Sequence, residues 1–127
     1  MADDRDQTRP TIEELRPLYR AHAALCKALA NEHRQAIMHT ICYREMCVSD
    51  IAAAIGISVH NVSQHLRVLK DAGLVSDRAE GTRRVYAIDP QGLGALRKWL
   101  DQFWDAALQA FAEEVERSEK SRNEQDE

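Results

Sequence analysis

The sequence has no apolar run that approaches the roughly 20 residues needed by a membrane-spanning helix. Its first ten residues carry acidic and basic side chains, unlike the apolar centre of a secretory signal peptide. With 44% hydrophobic and 30% charged residues, the composition is typical of a globular protein. We therefore expect a cytoplasmic protein with no membrane partner.

The motifs of catalysis are also absent. The sequence contains no glycine-rich phosphate loop, no pair of catalytic carboxylates and no nucleophile placed with a base. A disulfide framework is not indicated, because the three cysteines (Cys26, Cys42 and Cys47) are an odd number. The sequence thus predicts a non-enzymatic protein whose cysteines are free thiols or ligands.

The chain has no overall excess of positive charge, which by itself argues against a nucleic-acid partner. The net charge is −4, but nine acidic and only three basic side chains lie between Asp101 and Glu127. Residues 31–90 hold seven of each sign. Because the negative charge is concentrated at one end, the middle of the chain remains compatible with DNA binding.

The stretch from Val48 to Leu74 has the pattern of two helices joined by a tight turn. Ser49 is a suitable N-cap for the first helix, and Ser58 is suitable for the second. Gly56 stands between them, where the backbone needs a residue that accepts left-handed dihedral angles. This arrangement predicts a helix-turn-helix.

The second of these helices has an apolar side and a polar side with few charges. At about 100° per residue, Val62, Leu66 and Leu69 fall together. The opposite side offers amides, hydroxyls and imidazoles, which can donate to and accept from base edges in the major groove. A solvated surface helix is the alternative, although such a helix would favour lysine and glutamate. We predict DNA contacts from Ser58, His60, Asn61, Ser63, Gln64, His65 and Arg67.

Residues 74–89 have the pattern of a β-hairpin with its tip around Gly81. Arg78, Arg83 and Arg84 flank that tip. A basic hairpin directly after a recognition helix is suited to phosphates or to the minor groove. We therefore predict a wing whose three arginines contact DNA, in preference to a solvated hairpin with incidental arginines.

The two ends of the chain are expected to be helical. Thr11 to Glu14 has the form of a capping box, Asn31 can cap a further helix, and Asp89 with Pro90 can open the last one. Apolar residues in that last helix recur at spacings of three and four over about seven turns. The fold class predicted is mainly α with a small β-hairpin, a winged helix-turn-helix.

A domain of this size cannot bury the whole apolar face of the last helix, so part of it should meet a second copy of the chain. Packing on the first helix is the alternative, and we expect both to contribute. The predicted organisation is a disordered segment 1–10, a domain 11–117 that dimerises through 11–30 and 90–117, and an acidic tail 118–127. The predicted interface residues are Leu18, Leu25, Leu96, Trp99, Leu100, Phe103, Trp104, Leu108 and Phe111.

Four segments follow one another between Leu25 and Ile88: LANEHRQAIM, EMCVSDIAAAIG, SVHNVSQHLRVLKDAGLV and RAEGTRRVYAI. In this order they resemble the ArsR/SmtB family of winged-helix repressors. The resemblance implies a homodimer, paired through the first and last helices, that binds operator DNA. It also implies a repressor that releases DNA when a metal ion, a metalloid or a thiol-reactive species binds.

The sensing residues depart from the family pattern. The family's metalloid box, Glu-Leu-Cys-Val-Cys-Asp-Leu, supplies two thiolates, whereas here Cys47 matches the first and Ser49 replaces the second. Soft ions need several thiolates, so Cys26 and Cys42 are candidates for completing a site, or else small buried hydrophobic residues. A single redox-active Cys47 at a helix N-terminus is a further alternative.

Two other family sites are missing. The zinc-type site on the last helix needs histidine, and none follows Asp89. The cysteine pair used to sense reactive sulfur is also absent. The inducer is therefore unknown.

A repressor without a metal inducer and a winged-helix protein-interaction module are the alternatives to an inducible repressor. The polar face of the second helix discriminates against the interaction module, which has no need of it.

Overall fold

The computed structural model describes residues 9–126, with side chains described up to residue 125. Most of the disordered segment predicted for residues 1–10 therefore lies outside the described residues. The chain divides between Leu93 and Gly94 into two compact units. The elements in chain order are α1 (Ile12–Leu29), α2 (Glu32–Ile41), β1 (Met46–Cys47), α3 (Val48–Ile55), α4 (Val59–Asp71), β2 (Val75–Glu80), β3 (Arg83–Ile88) and α5 (Pro90–Asp126).

The helix starts predicted at Thr11, Asn31 and Ser58 are confirmed by their hydrogen bonds. The Thr11 hydroxyl accepts a hydrogen bond from the backbone N–H of Glu14, and the Glu14 carboxylate accepts one from the Thr11 N–H. Together these two bonds form a capping box. The Ser58 hydroxyl accepts from the Asn61 N–H at 3.1 Å. Gly56 has φ 76°, the left-handed turn expected between α3 and α4.

The N-cap predicted at Ser49 is wrong. Helix α3 begins two residues earlier than a Ser49 cap requires, at Val48, with Cys47 as its N-cap residue and no side-chain capping bond. The reason is a third strand that the sequence pattern did not reveal. Strand β1 pairs antiparallel with β3, opposing Cys47 to Val85, and this pairing holds Cys47 in an extended conformation directly before the helix.

The core of the first unit fixes which side of α4 faces outward. Val62, Leu66 and Leu69 on α4 have no exposed surface, in keeping with the predicted apolar side. They are buried together with Ile37 of α2 and Ile51 of α3. Because one side of α4 is fully buried, the residues on its opposite side are directed towards solvent.

The predicted hairpin is confirmed, and it belongs to a three-stranded antiparallel sheet of order β1-β3-β2. Its register runs from Val75 opposite Ile88 to Glu80 opposite Arg83, with Gly81 in the turn at φ 63°. The predicted winged helix-turn-helix is therefore present. Among the described residues, no helix is long and apolar enough to cross a membrane.

The last helix opens as predicted but ends later. The Asp89 carboxylate accepts from the Gln91 N–H at 3.0 Å. The boundary expected between the last helix and the acidic tail, at residue 117, is not the end of α5, which continues to Asp126. After Gly94 the sequence contains no glycine or proline to end a helix, and Arg117 forms an ion pair with Glu114 one turn earlier.

Candidate nucleic-acid interface

The outward side of α4 carries most of the side chains predicted to contact DNA. Ser58, His60, Asn61, Ser63, Gln64 and Arg67 are all exposed. The amide nitrogen Nε2 of Gln64 lies 3.1 Å from Nε2 of His60, one turn away. Because an amide nitrogen only donates, this contact leaves the Gln64 carbonyl oxygen free to accept from a base. The helix therefore presents a surface of short donors and acceptors.

His65 is placed differently from the other predicted contacts. It is half-buried, with Nδ1 3.4 Å from the Arg34 guanidinium and its ring centroid 5.7 Å from that of His33. Its burial lowers the pKa of His65 below the ordinary value of 6.5, and the positive charge of Arg34 and then the neighbouring His33 ring lower it further. The imidazole is thus neutral at pH 7, and it contacts α2.

Two of the three wing arginines are already paired with acidic side chains. Arg78 lies 2.8 Å from Glu45 and 3.1 Å from Glu80, and the Glu45 hydrogen bond raises the pKa of Arg78 further. Arg84 lies 2.9 Å from Asp77. Arg83 is exposed beside the hairpin turn and pairs with no acid in the described part of the chain. Sequence reasoning missed Glu45 and Asp77 as partners because these two pairs depend on how the strands lie against one another.

The three cysteines lie in unlike surroundings. Cys47 is buried, and its sulfur lies 3.3 Å from the Ser49 hydroxyl. Cys26 and Cys42 are exposed, so the alternative reading of them as buried hydrophobic residues is wrong. Within residues 9–126 no three His, Cys, Asp or Glu side chains form a group that could hold a metal ion. The structure therefore does not bring the three thiols together.

The residues predicted for dimerisation divide by exposure. Leu25 and Leu96 are buried within the single chain, which leaves them little surface to offer a second copy. Trp99 is half-buried, and its ring meets that of Phe103 edge to face. Trp104 and Phe111 are 65% and 68% exposed, far above what side chains of this size show in a core. The other exposed members are Leu18, Leu100, Phe103 and Leu108.

Known proteins are similar to this chain in sequence and in the arrangement of the helix-turn-helix and wing. The family model for bacterial regulatory proteins of the arsR family matches residues 31–77. An HTH-type transcriptional regulator of Mycobacterium tuberculosis, Rv2034, is 45% identical across 77% of this chain and 92% of its own length. The arsenical resistance operon repressor of Bacillus subtilis is 31% identical across 62% of this chain and 76% of its own length.

A solved structure extends the likeness to the fold. The homodimeric winged helix-turn-helix DNA-binding domain from Mycobacterium bovis superposes with a TM-score of 0.62 and is 31% identical. The match covers 81% of this chain and 94% of that domain. The relatives therefore agree with the helix-turn-helix and wing in both sequence and fold.

Proposed function

Because this chain belongs to the ArsR family of bacterial regulatory proteins, we propose that it is a cytoplasmic repressor that binds a palindromic operator. As a member of that family it is a DNA-binding transcriptional regulator and not an enzyme. Its outward α4 surface is the observation that supports this proposal most directly. That surface is rich in groups able to bond base edges, while the opposite side is buried. A module that bound only proteins would have no use for it.

Each side chain on α4 suits a particular role at the DNA. Asn61 and Gln64 carry amides that can bond adenine at two atoms, and Arg67 carries a guanidinium suited to guanine or to phosphate. Ser58 and Ser63 supply hydroxyls near the helix N-terminus, where phosphate groups are favoured. His65 acts from the side of α2, where its neutral ring supports the orientation of α4.

The wing is suited to the DNA backbone beside the major groove. Arg83 is free to bind a phosphate directly. Arg78 and Arg84 remain more than half exposed in their ion pairs. They can therefore reach a phosphate while still held by their acidic partners.

The proposed operator follows from pairing two copies of the chain. The exposed apolar residues of α5 would form an interface between identical surfaces, and Leu18 of α1 is a further exposed residue proposed for dimerisation. A two-fold dimer places its two recognition helices about 34 Å apart, one turn of DNA. Each half-site would be read by one copy of α4.

Selection of bound fragments from genomic DNA tests this proposal. We expect the purified protein to retain short fragments from promoter regions, each with an inverted repeat whose half-sites lie about 10 base pairs apart. Footprinting of a retained fragment should show protection of both half-sites. Recovery of fragments without any shared sequence would contradict specific recognition.

We propose in addition that Cys47 is the point at which an inducer acts. Its thiol lies where β1 ends and α3 begins, and β1 pairs with the wing strand β3. A group attached to this buried sulfur would lie at the junction of the β1–β3 pairing and α3, beside the Ser49 hydroxyl 3.3 Å away. The described residues support no multi-thiolate site within one chain, so a thiol-reactive species fits better than a metal or metalloid ion.

The variant Cys47→Ser separates a role of this residue in sensing the inducer from a role in DNA binding itself. We expect its inducer-free DNA affinity to stay within about 0.5 kcal/mol of the unchanged protein, since the exchange is nearly isosteric. It should no longer release DNA on treatment with peroxide, persulfide or arsenite, as measured by fluorescence anisotropy of labelled operator. The variants Cys26→Ser and Cys42→Ser serve as controls and should respond normally. An undiminished response of Cys47→Ser would exclude this cysteine.

A further inference from the structure

A single carboxylate links the recognition helix to both strands of the wing. Asp77 lies on β2, and its side chain is only 7% exposed. One of its oxygens lies 2.8 Å from Nζ of Lys70, in the last turn of α4. The other lies 2.9 Å from the guanidinium of Arg84, on β3. Neither Lys70 nor Asp77 belongs to the sites predicted from the sequence.

Neighbouring residues on β2 make contacts on opposite faces of the wing. Asp77 is directed towards α4, whereas Arg78 pairs with Glu45, which precedes β1. This follows from the alternation of side chains along a strand. The wing is therefore held from two sides, by one ion pair at each face.

The two attachments differ in strength. Glu45 is 47% and Arg78 55% exposed, and such a pair contributes little because water and salt screen it. The Asp77 carboxylate is nearly removed from water and accepts from two cations at once. The Lys70 hydrogen bond is the main reason that the pKa of Asp77 lies below its ordinary value, so the group is ionised at pH 7. Asp77 is thus the stronger of the two attachments.

Resting on the DNA-binding function proposed above, we infer that Asp77 is a positioning residue that fixes the wing relative to the recognition helix. Lys70 and Arg84 are about half exposed, so each keeps donors free for DNA phosphates while Asp77 sets their separation. Base recognition by α4 and phosphate binding by the wing would therefore both depend on the position of the wing relative to α4, which Asp77 fixes.

If Asp77 has this role, removing its charge should have opposite effects on the affinity for operator DNA and on the affinity for DNA of random sequence. The carboxylate is negative and repels phosphates, so its neutralisation alone should strengthen binding to any sequence. Loss of the link should weaken binding only where helix and wing must fit together. The ratio of the two affinities therefore separates positioning from simple charge.

The test uses Asp77→Asn in the full chain, with operator and scrambled DNA titrated at several salt concentrations. We expect operator affinity to fall about tenfold while affinity for scrambled DNA stays level or rises. Asp71→Asn is the matched control, because Asp71 ends α4, is exposed and forms no ion pair among the described residues. It makes the same charge change and should shift both affinities together. Equal shifts in the two variants would overturn the positioning role.

A second measurement needs no DNA. Amide hydrogen exchange across β2 and β3 should become faster in Asp77→Asn than in the unchanged protein or in Asp71→Asn. Unchanged exchange would show that the wing does not depend on Asp77. If the protein failed to bind any operator, the proposed function would fall, whereas this exchange experiment would still decide on the link. Thermal unfolding confirms that each variant is folded before comparison.

Discussion

Replacing Gln64 and Arg67 together with alanine is expected to lower operator affinity by roughly 1,000-fold. A well-formed contact to a base edge contributes about 1–3 kcal/mol. A dimer carries both residues at each half-site and would lose four contacts, which corresponds to about 4 kcal/mol or more. Both side chains are exposed and lie outside the core, so the fold and the dimer should persist.

Titration of labelled operator and of a scrambled duplex measures this loss, and sedimentation confirms the dimer. The double variant Arg122→Ala with Gln125→Ala is the control, because it removes the same two side-chain types from the exposed end of α5. It should bind operator as the unchanged protein does. Operator affinity retained in the α4 variant would remove this helix from DNA recognition.

Placing glutamate at both Trp104 and Phe111 is expected to abolish dimerisation at micromolar concentrations. Large aromatic side chains at the centre of an interface typically contribute about 2 kcal/mol or more each. In a two-fold dimer each substitution also acts twice. A carboxylate placed in the interface would lose its hydrating water. It would also be repelled by the carboxylates that the same substitutions place on the other copy. Operator binding should fall with the dimer, because a single copy reads only one half-site.

Analytical ultracentrifugation checks the oligomeric state, and the same DNA titration checks the consequence. Gln102→Glu with Gln109→Glu is the matched control. These positions share the seven-residue spacing and lie about 140–180° away from Trp104 and Phe111 around the helix, at roughly 100° per residue. This control adds the same charge and should remain dimeric. A Trp104 and Phe111 variant that sedimented as a dimer would contradict an interface on this face of α5.

Local signals were sufficient to predict most of the fold. The caps at Thr11, Asn31 and Ser58 each depend on a side chain and a backbone group within three residues, so the sequence contains all the information needed. The buried side of α4 follows from its 3.6-residue period in the same way. The start of α3 could not be predicted, because it depends on the pairing of Cys47 with Val85, far along the chain.

The same distinction applies to the candidate interface. Exposure of Gln64 and Arg67 follows from the helical period alone. The inward contact of His65 depends on how α2 crosses α4, and the pairing of Arg84 with Asp77 depends on the register of the wing. The first contact joins two separate helices and the second joins the two strands of the hairpin, so the pattern within one element encodes neither. A count of basic residues therefore cannot tell a free arginine such as Arg83 from one already paired.

The placement of Cys47 makes the edge of the wing observable by chemistry. Cys47 is only 7% exposed, and it lies between a strand pair and a helix start. We expect a bulky alkylating reagent to react with this buried residue only when the structure around it opens locally, so the labelling rate would reflect how often the surroundings of β1 open. The two exposed thiols, Cys26 and Cys42, should label at the rate of free cysteine in the same sample. One chain therefore contains both a reporter of local opening and its internal standard.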